Sequence, residues 1–232
     1  WLIFIIATLN CCLAYLPSHE AQHGNIIKRG TRFFWVNELV GYLSVLPLLT
    51  GYKLLKETHM LHHKYTNVPE KDPDIGTKSS GFFHSLWVCG VKLRQPNAGY
   101  GLQSDFYREN ISSRAFKEHL VFFWFHWILL AFLCLLGHGL IVIAIWWLPR
   151  LIGTAYLQIT LSFLPHKPME KVGRYRDTRG WKATTGTILT QGMEYHIIHH
   201  LYPSIPLHKT PSAYRDMRHI LEEKNCVLDG GI

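Results

Sequence analysis

Histidine carries the first signal of chemistry. In the stretch MEYHIIHHLYPSIP, His196, His199 and His200 stand at i, i+3 and i+4. ETHMLHHKYTN repeats that register with His59, His62 and His63, and SHEAQHGN adds His19 and His23 at i, i+4. On an α-helix such positions share one face, within an arc of about 100°. Each box therefore aims its imidazoles into one small volume. Protonated rings would repel there, and neutral rings buried without partners would lose their hydration. A cation answers both problems, because neutral imidazole is the common nitrogen ligand of iron, copper and zinc. A lone histidine is ordinarily a core or surface residue, but neither packing nor solubility calls for two HxxHH boxes in one chain. One ion takes about four to six ligands, so eight histidines imply two metals.

The elements that must carry these boxes belong to a membrane-like sequence. Of 232 residues 48% are hydrophobic and only 17% charged, with eight tryptophans and eleven tyrosines. The chain opens at Trp1 in WLIFIIATLNCCLAYLP, which reads as the tail of a transmembrane helix with at least one further helix upstream. No basic leader or cleavage site marks a signal peptide. Residues 120–148 hold no formal charge, and LGHG at 136–139 divides them into a helix over about 118–136 and a second from near 139 toward Pro165. Pro149 is expected to kink the second helix, and Arg150 beside it must find a polar or interfacial place. Cys11, Cys12, Cys89, Cys134 and Cys226 show no metal spacing and read as packing residues.

Residues 33–55 are ambiguous, since Glu38, Pro47 and Gly51 interrupt the apolar run. One crossing there would separate the first two boxes across the bilayer, so a shared metal site demands an interfacial, re-entrant or hairpin segment. Two crossings then return the chain to the side of the third box. The net charge of +8 sits in the loops of that side, as in Lys28, Arg29, Arg32, Lys53, Lys56 and Lys64. That placement fits the positive-inside rule better than nucleic-acid binding and puts the boxes on the cytoplasmic side. A bacterial inner membrane is the expected location.

HxxxH, HxxHH and HxxHH with apolar spans between them resemble the integral-membrane fatty acid desaturase superfamily, from about Pro17 to Tyr214. The resemblance implies two irons, dioxygen as co-substrate, external electrons from ferredoxin or a similar donor, and a lipid-soluble substrate to be desaturated or hydroxylated. The fold expected is all-α and integral to the membrane. It is one domain over 1–232, a transmembrane bundle whose cytoplasmic-side cap carries a histidine-rich di-metal site. LSFLPHKPMEKVGRYRDTR and YHIIHHLYPSIPLHKTPSAY are similar to segments of the cyanobacterial-type β-carotene hydroxylases and the ketolases. Hydroxylation of a carotenoid β-ring is therefore the leading expectation. A fatty acyl desaturase or hydroxylase, or a β-carotene ketolase, is the alternative. Glu194 departs from the carotenoid pattern, which usually has an amide there. The resemblance also implies a ninth ligand, His166 in LPHKP. Asp72, Asp74 and Asp177 are candidates to orient ligand N–H groups, although Asp72-Pro-Asp74 equally suits a plain turn. Arg174, Arg176 and Arg179 suit an acidic donor or a lipid-facing charge patch. Phe122, Phe123, Trp124 and Trp127 suit a lipid channel or a lipid-facing helix surface.

Two rival readings remain. His19-Glu20-Ala21-Gln22-His23 is literally HExxH, the zinc-protease motif with Glu20 as base, yet a protease leaves both HxxHH boxes unexplained. Glu20→Gln abolishes a protease and spares an oxygenase. A metal transporter places its ligands near mid-membrane, whereas these boxes lie at span ends beside basic residues. Metal flux into proteoliposomes would revive it.

Overall fold

The computed structural model describes residues 1–94, 105–182 and 187–230. In chain order its helices are α1 (Leu2–Leu13), α2 (Tyr15–His23), α3 (Trp35–Val45), α4 (Tyr52–Tyr65), α5 (Phe82–Gly90), α6 (Asp105–Asn110), α7 (Ser113–Leu135), α8 (Gly139–Val142), α9 (Leu148–Leu157), α10 (Leu164–His166), α11 (Thr187–Thr190), α12 (His196–Leu201) and α13 (Thr210–Glu223). Two short strands, β1 (Arg179–Trp181) and β2 (Val227–Gly230), pair in parallel. The expectation of an all-α chain is corrected by that pair. β1 can lie close to β2 because Gly180 has no side chain, and a Cβ there would stand 2.9 Å from the Leu228 carbonyl oxygen.

Apolar length decides the long helices. Leu2–His23, Ser113–Leu135 and Gly139–His166 are 22, 23 and 28 residues long and apolar enough to cross a membrane. At about 1.5 Å per residue each exceeds a hydrocarbon core of about 30 Å. The Ser112 hydroxyl caps α7 by accepting the Ala115 N–H at 3.2 Å, so this helix starts a turn and more before the expected residue 118. Much of its surface is exposed apolar side chain, with Val121 71% and Leu135 86% exposed. Trp124 is also exposed, while Phe122 and Phe123 are half-buried.

The third span holds its surprise at Pro149. Instead of standing alone as a kink, the proline follows directly on a π turn, Ile143–Trp147. A π turn bonds each N–H to the fifth carbonyl back, which makes room for the proline ring and its missing donor. Arg150 is buried, with its guanidinium 4.4 Å over the Trp147 ring. A second π turn, Gln158–Phe163, leads into α10.

The residues form two compact units, Trp1–Met60 with Gly101–Leu157, and Leu61–Tyr100 with Gln158–Ile232. In the first, α1 packs on α9 and α2 on α3. Residues 33–55 do not form one crossing. The eleven residues of α3 reach only about 16 Å, Pro47 sits in a 3-10 turn, and Leu49 takes a left-handed φ of 62° before α4 begins. Gly153 lets α9 lie close against α1, for a Cβ there would lie 2.6 Å from that of Cys11. Gly153→Ala is expected to cost about 1–3 kcal/mol, read as a lower melting temperature in detergent against wild type.

The second unit is centred on the third box. Ile197, Ile198 and Leu201 of α12 bury themselves against Tyr214 and Leu221 of α13 and against Leu228. That apolar grip leaves His196, His199 and His200 on the remaining face of α12. Thr77 and Ser162 hydroxyls meet at 2.7 Å, tying the 3-10 turn Ile75–Thr77 to the second π turn.

Candidate metal centre

In the first unit, α2 carries His19 and His23 one turn apart, and the latter half of α4 carries His59. Their ring nitrogens lie within 4.8 Å of one another, and His23 Nε2 stands 2.8 Å from His59 Nε2. His19 is 1% exposed.

In the second unit, His62, His166, His196 and His200 bring one ring nitrogen each within 4.8 Å of one another. The last turn of α4 supplies His62, α10 supplies His166 and α12 supplies the others. His63 Nε2 stands 3.0 Å from His199 Nε2, and the His63 ring stacks on His200 with centroids 4.2 Å apart. His62, His166, His196 and His199 are all buried.

The hydrogen bonds around His62 and His166 fix which nitrogen faces which. His62 Nδ1 lies 2.8 Å from Asp72 Oδ1, and His166 Nδ1 lies 3.0 Å from the Asp177 carbonyl oxygen. Carbonyl and carboxylate oxygens only accept, so both Nδ1 atoms donate. Both Nε2 atoms then turn lone pairs toward each other, 3.1 Å apart. Two acceptors cannot bond each other; a shared proton or a cation must lie between them. The same logic reaches His200. Thr66 spends its hydroxyl proton on the His62 carbonyl at 2.6 Å and can only accept from His200 Nδ1, at 3.4 Å. His200 Nε2 is buried with no hydrogen-bond partner. Burial, then the neighbouring imidazoles, hold this ring well below the ordinary histidine value, so the lone pair stays available.

These distances suit a metal. Nitrogen ligands about 2.1 Å from one ion and at right angles to each other are about 3.0 Å apart. The three Nε2 pairs, at 2.8, 3.1 and 3.0 Å, match that edge. The donor set fits a metal ion.

Of the three aspartates singled out from sequence, Asp72 is the most engaged. It is 1% exposed, and it combines the turn with the histidine contact. Oδ1 also accepts the Asp74 N–H at 2.9 Å, and Oδ2 accepts the Asn67 N–H at 2.7 Å. Asp74 is more distant, with Oδ2 4.0 Å from His62 Nδ1. Asp177 meets His166 through its backbone carbonyl. Burial pushes the Asp177 carboxyl up to about 6. Burial would push His62 down, but Asp72 and then Asp74 outweigh it and raise the imidazole to about 9. Asp72 is held low, since His62 and the two backbone N–H groups outweigh the burial that would raise it.

Asn67 was missed in the sequence, although an asparagine just past a helix that ends in HHKYT is the signal of a left-handed cap. It has φ 61°, and its side-chain amide donates to the carbonyls of Lys171 and Asp177 at 2.9 and 2.8 Å. Asn67 thus braces both the Asp72 carboxylate and the strand of chain that meets His166. Asn67→Ala is expected to weaken metal binding by about 10-fold or more while leaving the chain folded, measured as the chelator concentration that strips the metal. Among the arginines, Arg174 and Arg176 are exposed but Arg179 is buried in β1. A surface patch of all three is therefore corrected to Arg174 and Arg176. Glu194 is also buried, and it accepts the Thr190 hydroxyl.

The sequence matches the fatty acid desaturase family over residues 1–230. The chain belongs to the fatty acid desaturase family. It is 22% identical to a fatty acid conjugase of Calendula officinalis, over 89% of this chain and 64% of the relative. It is 22% identical to an sn-1 oleoyl-lipid 12-desaturase of Picosynechococcus sp., over 88% and 65%. A dihydrorhizobitoxine desaturase of Bradyrhizobium elkanii is 29% identical, over 83% and 61%. This desaturase-family chain thus spans less than two thirds of each relative's length. The family match covers all three histidine boxes and all three long apolar helices.

Proposed function

We propose that the chain is the core of a membrane di-iron oxidoreductase that uses dioxygen and external electrons to desaturate or hydroxylate the acyl chain of a lipid. The observation that carries this reading is the set of facing, buried imidazole nitrogens. In this reading His19, His23 and His59 of the first unit, and His62, His63, His166, His196, His199 and His200 of the second, are the iron ligands. Bound iron would supply the activation of dioxygen needed at an unactivated C–H bond, beyond the reach of side-chain acids and bases. The chain's own part is to hold those rings. Asp72 orients His62, the Asp177 carbonyl orients His166, and Thr66 orients His200.

The relatives named for acyl substrates support the acyl chain over the carotenoid ring that the flanking segments first suggested. The three apolar helices support a transmembrane bundle, and the basic loops support a cap on the cytoplasmic side, in a bacterium the inner membrane. Arg174 and Arg176 offer a place for an acidic donor such as ferredoxin.

The test expresses the full-length gene with a ferredoxin and its reductase in a bacterium that accumulates β-carotene. Acyl chains and pigments are then compared by chromatography with mass detection. New double bonds or hydroxyls on acyl chains are expected. Hydroxylated or keto carotenoids with unchanged acyl chains would overturn the substrate, and no product from a chain loaded with iron would overturn the activity.

A further inference from the structure

A groove of about 710 Å3 opens in the first unit, away from any histidine box residue, between α4 and the start of α7. Lys53, Arg114, Lys117 and Glu118 lie at one end of its lining, and Val121, Phe122 and Phe125 at the other. On α7 these side chains follow one stripe, since 114, 118, 121 and 125 recur at helical spacing. The stripe turns from basic to apolar where the candidate span leaves its first turns, which is the profile of a bilayer from headgroup to acyl chain.

The charges at the polar end are uneven. Glu118 is already satisfied by Lys53 Nζ at 2.8 Å, by the Lys53 backbone N–H at 3.1 Å and by the Tyr42 hydroxyl at 2.7 Å. Glu57, also beside this end of α7, accepts from the Ser112 N–H and hydroxyl at 2.6 and 2.7 Å. Arg114 and Lys117 are exposed, and among the described residues neither forms an ion pair. Two cations above an apolar trough, with the nearby carboxylates already engaged, complement a single amphiphile of negative headgroup. The apolar wall is itself exposed, Val121 at 71% and Phe125 at 59%.

We propose that this groove binds an anionic phospholipid, its phosphate between Arg114 and Lys117 and one acyl chain along Val121, Phe122 and Phe125. The proposal rests on the membrane reading of α7 and not on the metal or the substrate. A bidentate guanidinium and an ammonium both favour phosphate oxygens, while a zwitterionic headgroup brings its own cation into the same place.

The test uses the full chain purified in a neutral detergent with phosphatidylglycerol or phosphatidylcholine added, and reads retained lipid by native mass spectrometry. Phosphatidylglycerol is expected to be retained at least about 10-fold more strongly, with the preference falling as salt is raised. Arg114→Gln with Lys117→Gln should abolish the preference, and Phe125→Ala should weaken retention of both lipids. Equal retention of the two lipids, or a preference unchanged in the double variant, overturns the proposal. So does displacement of the lipid by millimolar inorganic phosphate with Phe125→Ala neutral, which would mark a simple anion site. Failure of the membrane reading shows separately, as a chain that stays in solution once detergent is removed.

Discussion

His199→Ala is expected to lose about half of the bound iron and to lower turnover by at least ~100-fold, because even residues one step behind a ligand commonly cost 10–100-fold. His199 is fully buried on α12, its Nε2 3.0 Å from that of His63, and it stacks on His196 with centroids 5.1 Å apart. Alanine there removes one of the two facing nitrogens. His84→Ala is the control, since His84 is exposed and meets Ser80 at its ring nitrogen. Iron by mass spectrometry and product per chain are the two readouts. A His199→Ala chain with full iron and normal turnover would end the metal reading, while loss in both variants would point to general unfolding.

Asp72→Asn should produce the second large effect, and its pH dependence carries the signature. Breaking a buried charged pair by removing one partner costs about 3–5 kcal/mol, and here both side chains are nearly inaccessible, at 2% and 0% exposed. In a chelator-treated chain, His62 is raised to about 9, so its contribution is complete below the ordinary value of 6.5 and is lost as pH rises through about 9. Asp72 is depressed, so its contribution is present above 3.8 and is lost as pH falls through its lowered value. The stability gap between wild type and Asp72→Asn should therefore be widest between about pH 4 and 6.5 and narrow toward pH 9. A metal ion held by His62 and His166 would have to displace the proton between them, so its affinity should climb as pH rises toward 9. Asn at 72 offers one oxygen in place of two, and metal affinity should fall by about 10–100-fold. A gap of the same size at every pH would show that Asp72 acts as a turn residue alone.

What could be read from the residues and what could not divide along sequence distance. The boxes were legible because i, i+3 and i+4 on one helix need no tertiary information, and the spans because twenty apolar residues need none either. Residues 33–55 stayed ambiguous since the outcome turned on Pro47 and a left-handed Leu49, a local break that hydropathy does not register. The meeting of His62 with His166, and of Asn67 with the Lys171 and Asp177 carbonyls, joins positions more than a hundred residues apart. No periodicity encodes such pairs. The β1–β2 pair escaped for a related reason, since three or four residues are too few to show alternation. Asp72 presented two readings that were not rivals, for one carboxylate has enough lone pairs to close a turn and hold an imidazole.

The π turn Gln158–Phe163 gives α10 a phase that an ordinary helix would not have. Each residue in an α-helix advances the chain by about 100°, and a π turn accommodates one residue more than the α-helical period allows. Were the turn to relax to α at unchanged length, His166 would swing by about 100°, off the line to His62, whereas deleting one residue within 158–163 removes the extra residue and lets an ordinary α-helix carry His166 in its present direction. The lesions to which His166 is most vulnerable are therefore those that favour a regular α-helix over 158–163 without changing its length.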